Sequence, residues 1–313
     1  MSGTDSMEPA APEWIAVDWG TSNLRVWLMD AQNRVIAERH SDKGMSSLSA
    51  AEYEPVLLEL IGPATGSARR LDVICCGMAG SRQGWAEAPY RAVPCSPVDF
   101  LAATRVETND PRLSVRILPG LRQDVPDDVM RGEETQIGGF LAEKPDFEGT
   151  VCLPGTHCKW VRIRDGKVLE FRSFMTGELF ALLSGASVLR HSVDTDEFDQ
   201  EHFLIAVMDA LNAPQSLTSE LFSLRAASLL RNVAPVATRS RLSGLLIGTE
   251  LAAARSFWQD QPVAIIGASG LGRSYQAALE SQGNTAEICD VAEQTMRGLC
   301  AARAAWKEVT NAT

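Results

Sequence analysis

Asp18 Trp19 Gly20 Thr21 Ser22 Asn23 joins two apolar runs, Trp14 to Val17 and Leu24 to Met29. A carboxylate at a strand end, followed by a Gly turn and by hydroxyl and amide side chains, can hold Mg²⁺ and a terminal phosphate together. The same residues also suit an ordinary β-hairpin turn, because Asp, Gly and Asn tolerate unusual backbone angles. The choice between the two depends on what surrounds the stretch.

Working outward, three short strands are expected at Trp14 to Val17, Leu24 to Met29 and Val35 to Arg39, with a turn at Asp30 to Asn33. They form a β-meander. Ser49 and Glu52 then make a capping box ahead of Tyr53, Val56, Leu57, Leu60 and Ile61, an apolar stripe at helical spacing. A buried strand at Leu71 to Cys76 follows, Pro and Gly dominate residues 84 to 97, and a further strand is expected at Ser114 to Leu118.

The second half opens in the same way: strand Thr150 to Leu153, turn Pro154 Gly155 Thr156 His157, strand Lys159 to Ile163, an Asp165 Gly166 turn and strand Val168 to Phe174. Gly20 Thr21 and Gly155 Thr156 therefore hold equivalent places in two meanders, which reads as an architectural repeat of low residue identity. Residues 176 to 258 read as mostly helical, including Phe198 to Leu211, Glu220 to Leu230 and Leu242 to Trp258. Strand Val263 to Ile266 and two helices close the chain.

Composition bounds the function. With 313 residues, 45% hydrophobic and 22% charged, the chain suits two globular domains with a sizeable core. A net charge of −11 argues against nucleic acid or an anionic membrane as partner, since both select basic surfaces. The seven cysteines include no Cys-x-x-Cys pair, are odd in number and lie mostly in apolar runs, so they read as reduced core thiols of a cytoplasmic protein. Residues 1 to 13 are expected to be frayed and lack the basic start and apolar run of a signal peptide; no apolar run is long enough for a membrane span.

Four further segments carry chemistry, each with a plainer reading. Gly77 Met78 Ala79 Gly80 Ser81 Arg82 Gln83 follows a buried strand, where α/β proteins place ligand contacts; Arg82 could grip a carboxylate with its planar fork, or simply be a surface Arg. Arg131 Gly132 Glu133 Glu134 Thr135 Gln136 starts a helix, where acidic residues suit the helix dipole but a carboxylate could also take a proton from a sugar hydroxyl. Leu153 Pro154 Gly155 Thr156 His157 Cys158 Lys159 repeats the first turn, with Thr156 and turn amides open to phosphate and Lys159 available for charge neutralisation. Ile266 Gly267 Ala268 Ser269 Gly270 Leu271 Gly272 superficially matches a dinucleotide fingerprint, but too little chain follows for a Rossmann sheet, and a turn beneath an adenine and ribose accounts for it.

In this order, the Asp18 turn, the Gly132 Glu133 helix start, the Gly155 Thr156 turn and the Gly267 to Leu279 segment are similar to the phosphate, connecting and adenosine motifs of the sugar kinase, heat-shock ATPase and actin superfamily. Within it the chain most resembles the 2-dehydro-3-deoxygalactonokinase family. The matching stretches, Ile15 to Trp27, Gly77 to Trp85, Val129 to Gly138, Leu153 to Trp160, Phe174 to Phe180 and Ile266 to Leu279, cover essentially the whole chain.

The resemblance implies an α/β protein of two ribonuclease-H-like domains, an actin-like ATPase fold with a cleft between them. The expected domains span 14–145 and 146–313, the second carrying a helical insertion at about 176–258, with a hinge near Lys144 to Glu148. ATP and Mg²⁺ would bind, and the acceptor would be 2-dehydro-3-deoxy-D-galactonate, phosphorylated at C6. On this resemblance Asp18 is the Mg²⁺ partner, Gly20, Thr21 and Ser22 line the γ-phosphate, and Gly155 and Thr156 meet the β- and γ-phosphates with Lys159 nearby. Gly267, Gly270 and Ser274 would line the nucleoside, and Arg82 the acceptor, with Ser81, Asn23 and Gln83 as neighbours. Related kinases usually carry an Asp where Glu133 stands, so the base is Glu133 over Glu134 or Asp18. A kinase for another sugar acid and a non-catalytic nucleotide-binding regulator of the same fold are the alternative expectations, with homo-oligomerisation left open.

Overall fold

The computed structural model describes residues 11–62 and 70–311. Of the stretch expected to fray, residues 1–10 lie outside these. The chain divides into two compact units: the described residues of Met1–Pro145 with Ala292–Thr313, and those of Asp146–Val291.

In the first unit, β1 (Trp14–Trp19), β2 (Leu24–Met29) and β3 (Val35–Ser41) form the expected meander, followed by α1 (Tyr53–Ile61) and β4 (Leu71–Gly77). The Ser49 and Glu52 capping box is present ahead of α1. β5 (Tyr90–Ala92), β6 (Thr104–Val106), β7 (Leu113–Ile117), β8 (Gly120–Asp124) and β9 (Asp127–Met130) lead to α2 (Glu133–Glu143). The main sheet has the order β3-β2-β1-β4-β7-β6, in which β1 is antiparallel to β2 and parallel to β4. β5, β8 and β9 form a separate small sheet.

β1 reads as a continuous apolar run because both of its faces are covered. Ile15, Val17 and Trp19 pack with Tyr53, Val56 and Leu57 of α1. Trp14 and Ala16 on the other face pack with Leu299, Ala302 and Trp306. Each such side chain, fully buried, contributes about 1.5–3 kcal/mol.

The second unit repeats the strand order. β10 (Gly149–Leu153), β11 (Cys158–Arg164) and β12 (Lys167–Phe174) form the second meander. α3 (Thr176–Gly185), α4 (Gln200–Asn212), α5 (Leu217–Arg231), α6 (Pro235–Ala253) and α7 (Arg255–Trp258) follow, and the single helix expected over 242–258 is instead the end of α6, a break at Ala254, and α7. β13 (Val263–Ile266), α8 (Ser269–Glu280) and β14 (Ala286–Cys289) complete a sheet of order β12-β11-β10-β13-β14, with β10 antiparallel to β11 and parallel to β13. α4 and α6 cross closely at glycines: a Cβ on Gly244 would strike the carbonyl oxygen of Phe203, and one on Gly248 that of Val207.

The final helix, α9 (Val291–Asn311), corrects the expected domain boundaries. The expected second domain runs on to 313, but its described residues from Ala292 onward belong to the first unit. Two glycines allow this: a side chain on Gly139 of α2 would strike the Gln294 carbonyl, and one on Gly298 the Thr135 carbonyl. α2 and α9 therefore pack backbone to backbone, and the apolar face of α9 covers Trp14. Five of the seven cysteines are buried. Among the described residues, no helix is long and apolar enough to cross a membrane.

Candidate active site

In the first unit the site residues gather at the carboxyl ends of β1 and β4, which run parallel with Asp18 opposite Cys76 and Trp19 opposite Gly77. This is where ligands meet parallel strands in α/β folds. The four residues from Gly20 to Asn23 make the tight connection to β2, closed by the Gly20 amide donating to the Asn23 carbonyl at 2.8 Å. The following segment braces it from outside: Met45 and Ser46 amides donate to the Gly20 and Thr21 carbonyls at 3.0 and 2.9 Å, and the Trp19 indole donates to the Lys43 carbonyl at 3.0 Å. Thr21, Ser22 and Asn23 are exposed on this rigid turn.

Asp18 is half-buried, and burial raises its pKa above the ordinary carboxylate value, opposed by the guanidinium of its cross-strand neighbour Arg25. Its one hydrogen bond among the described residues is the weak thiol donation from Cys76 at 3.8 Å. Glu133 is close enough that its charge also raises the Asp18 pKa. Two glycines allow the approach of their segments. Gly132, at φ 104°, enters α2 with its Cβ position 3.4 Å from Gly77 Cα, and Gly77, at φ 85°, has a Cβ position 3.4 Å from an Asp18 carboxylate oxygen.

The two adjacent glutamates differ sharply. Glu134 is 1% exposed and turned back on the helix start, accepting from the Gly132 amide at 2.7 Å and from the Thr135 hydroxyl at 3.0 Å. Burial and the neighbouring Glu133 charge push its pKa up to about 8. Glu133 is half-buried and accepts from the Arg131 amide at 3.0 Å.

Of the residues after β4, Ser81 is buried while Arg82 and Gln83 are exposed. The Arg82 side chain is 80% exposed, with Nε 3.7 Å from the Glu87 carboxylate. It therefore stands in solvent, as an Arg open to a ligand or a plain surface Arg would.

In the second unit the Gly155 Thr156 turn follows β10, and the Gly267 turn follows its parallel neighbour β13. They touch: a Cβ on Gly267 would lie 3.3 Å from Pro154. α3 starts against the same turn, the Glu178 amide donating to the Thr156 carbonyl at 2.9 Å, and Gly177 is required because a side chain there would strike the Gly155 carbonyl oxygen. Gly270 faces open space, and Ser274 Oγ donates back to the Gly270 carbonyl at 3.5 Å.

Lys159 departs from the expectation of an open cation. It is 4% exposed, and its ammonium donates to the His157 carbonyl at 3.4 Å.

A largely apolar cavity of about 350 Å³ borders Gly155 and Thr156, with Thr176, Phe180, Leu246 and Tyr275 among its walls. The expected nucleoside residues Gly267, Gly270 and Ser274 are not in this wall. Behind it, Glu250 accepts from the Trp160 indole and the Tyr275 hydroxyl, both at 2.8 Å, and burial raises its pKa. Sequence reasoning assigned none of these wall residues individually. Gly177, just inside the matched stretch Phe174 to Phe180, was the available signal.

Among the described residues no cluster of three or more His, Cys, Asp or Glu side chains could hold a metal unaided. Mg²⁺ needs no such cage, since it is usually held by one or two carboxylates with substrate phosphates and water. Asp18 fits that pattern, its carboxylate being almost without protein donors.

A model of the family described as 2-keto-3-deoxy-galactonokinase matches residues 18–302. The chain is 41% identical over 300 residues to "Probable 2-dehydro-3-deoxygalactonokinase DgoK1" of Rhizobium meliloti (strain 1021), covering 94% of this chain and 97% of that one. It is 34% identical over 282 residues to the 2-dehydro-3-deoxygalactonokinase of Escherichia coli (strain K12), covering 89% and 91%. A crystal structure of a Sinorhizobium meliloti protein assigned the same activity superposes with a TM-score of 0.87 at 41% identity, over 94% of this chain and 99% of that one. The family match includes both glycine turns, and the chain belongs to the 2-keto-3-deoxy-galactonokinase family.

Proposed function

We propose that the chain transfers the γ-phosphoryl group of ATP to the C6 hydroxyl of 2-dehydro-3-deoxy-D-galactonate, giving the 6-phosphate and ADP. The observation that carries this is the family match over residues 18–302, made by a chain that gathers a carboxylate and a glycine turn at the ends of β1 and β4 and a second glycine turn at the ends of β10 and β13. The repeated strand order supports reading the two units as ribonuclease-H-like halves, with α3 to α7 as the helical insertion of the second.

In this reading the second unit holds the nucleotide. The cavity beside Thr156 takes the adenosine, and the Gly155 Thr156 turn meets the phosphates. Gly267, Gly270 and Ser274 border the nucleoside from the α8 side. Lys159, at the start of β11 and buried, adds its positive charge beside the turn.

The first unit holds the acceptor and the reacting phosphoryl group. Gly20, Thr21 and Ser22 line the γ-phosphate, and Asn23, Ser81, Arg82 and Gln83 border the acceptor. Asp18 would hold Mg²⁺, which when bound would supply charge neutralisation to the phosphates. Glu133 accepts the C6 hydroxyl proton while the oxygen forms its bond to phosphorus and the bond from phosphorus to the ADP oxygen breaks. Glu134, whose pKa burial pushes up to about 8 and whose carboxylate accepts from the Gly132 amide, holds the helix start, leaving Glu133 as the base. Positioning supplies most of the acceleration, since little covalent chemistry falls to the protein. The cysteine pattern supports a cytoplasmic setting.

A panel of sugar acids and neutral sugars with coupled ADP detection tests this reading. Turnover should be greatest with 2-dehydro-3-deoxy-D-galactonate. Preference for another sugar acid would revise the substrate, and ATP binding without any acceptor turnover would replace the kinase reading by that of a regulator.

A further inference from the structure

Among Pro154, Gly155, Thr156 and His157, the four residues between β10 and β11, only His157 can carry a positive charge. Its side chain is 49% exposed, and Nε2 lies 2.6 Å from the Glu178 carboxylate. Among the described residues Nδ1 has no hydrogen-bond partner. One ring nitrogen is held and the other is unused. The Lys159 ammonium, the other cation of this segment, is buried and donates to the His157 carbonyl, so it braces the turn.

Glu178 is fixed where it stands. Its amide donates to the Thr156 carbonyl at 2.9 Å, and Gly177 before it lies so close to Gly155 that any side chain would strike the carbonyl oxygen. Gly155, Thr156 and Gly177 all border the apolar cavity. The first turn of α3 thus sets a carboxylate beside the residues read as meeting phosphates. A first-turn Glu suits the helix dipole, but that alone calls for no His at contact distance. A negative charge here opposes an anionic ligand unless a cation cancels it, and the His157 ring is placed to do so.

We infer that His157 binds a phosphate oxygen of the nucleotide through Nδ1, with Glu178 as the positioning residue that orients the ring through Nε2; this rests on the proposed function and deepens it. Carboxylate and phosphate are both acceptors, so the imidazole between them donates from both nitrogens and is the positively charged form. The exposed ring takes the charge-neutralising contact expected of Lys159.

Binding of ADP and of adenosine to the same variants tests this, because only ADP carries phosphates. His157→Gln keeps a donor for Glu178 but loses the charge. It should weaken ADP about tenfold, the loss expected of one charge-assisted hydrogen bond, with adenosine unchanged within about twofold. His157→Arg restores a cation and should recover part of that loss. Glu178→Gln should weaken ADP about threefold on its own, yet strengthen it when combined with His157→Gln, where the carboxylate is otherwise left uncancelled. Equal losses for ADP and adenosine in His157→Gln, or no loss of either, overturn the inference, as does a Glu178→Gln effect of the same sign in both backgrounds. Nucleotide binding as expected without turnover of any acceptor overturns the proposed function and leaves the inference standing. No binding of ADP to the unsubstituted chain overturns both.

Discussion

The Gly132 amide donates to the Glu134 carboxylate at 2.7 Å, so the second of two adjacent glutamates is spent on the start of its own helix. Its neighbour Glu133 is left half-buried beside Asp18. Glu133→Gln should therefore lower kcat by about 10²–10⁴, the usual contribution of a positioned general base. Glu134→Gln, which can still accept from Gly132 and donate to Thr135, should keep most of the activity. Steady-state kinetics of the two variants decides the assignment, and the reverse ranking would transfer the base to Glu134.

Glu134 also makes stability depend on pH. Its folded-state pKa of about 8 lies above the ordinary glutamate value of 4.5, so between these pH values the folded chain keeps a proton that the unfolded chain has released. Stability from this group is fully present below the lower value and declines as pH rises through the upper one. Glu134→Gln should then be more stable than the unsubstituted chain by a margin that grows from about pH 5 to about pH 9. Urea melts across that range measure it; a constant margin would contradict the burial of an ionisable Glu134.

Asp18 carries little structural burden, since its one hydrogen bond is to a thiol and burial disfavours its charge. Asp18→Asn should abolish turnover, by about a thousandfold or more in kcat, if it holds the metal on which phosphoryl transfer depends. Thermal stability should be retained. A melt with the coupled assay on the same sample separates the two effects, and near-normal activity would remove Asp18 from the metal site.

Glu250 supports the cavity wall by accepting from Trp160 and Tyr275. Glu250→Ala leaves two buried donors short of an acceptor, and should destabilise the chain by about 2 kcal/mol or more while raising the KM for ATP. Glu250→Gln keeps an acceptor and should cost about 1 kcal/mol or less. Denaturant unfolding measures both.

Both meanders, the capping box and the strand β4 were legible because their apolar spacing and turn residues agree with the final packing. Tyr90–Ala92 and Asp127–Met130 were not: these strands are short and largely exposed, and their pairing is set by distant partners rather than by local pattern. The return of α9 was hidden for a similar reason. Gly139 and Gly298 have meaning only once the two helices meet. At the site, the turns around Asp18 and Gly155 announced themselves through glycine and hydroxyl spacing. The cavity wall of Phe180, Leu246 and Tyr275 did not, because apolar residues on helices read as core until the walls they form are seen.

The most direct test of the central claim is to identify the product formed from ATP and 2-dehydro-3-deoxy-D-galactonate. ³¹P NMR should show one phosphate monoester coupled to the C6 protons, formed in step with ADP. Release of inorganic phosphate alone, or no phosphorylated product from any 2-keto-3-deoxy sugar acid, would contradict the account.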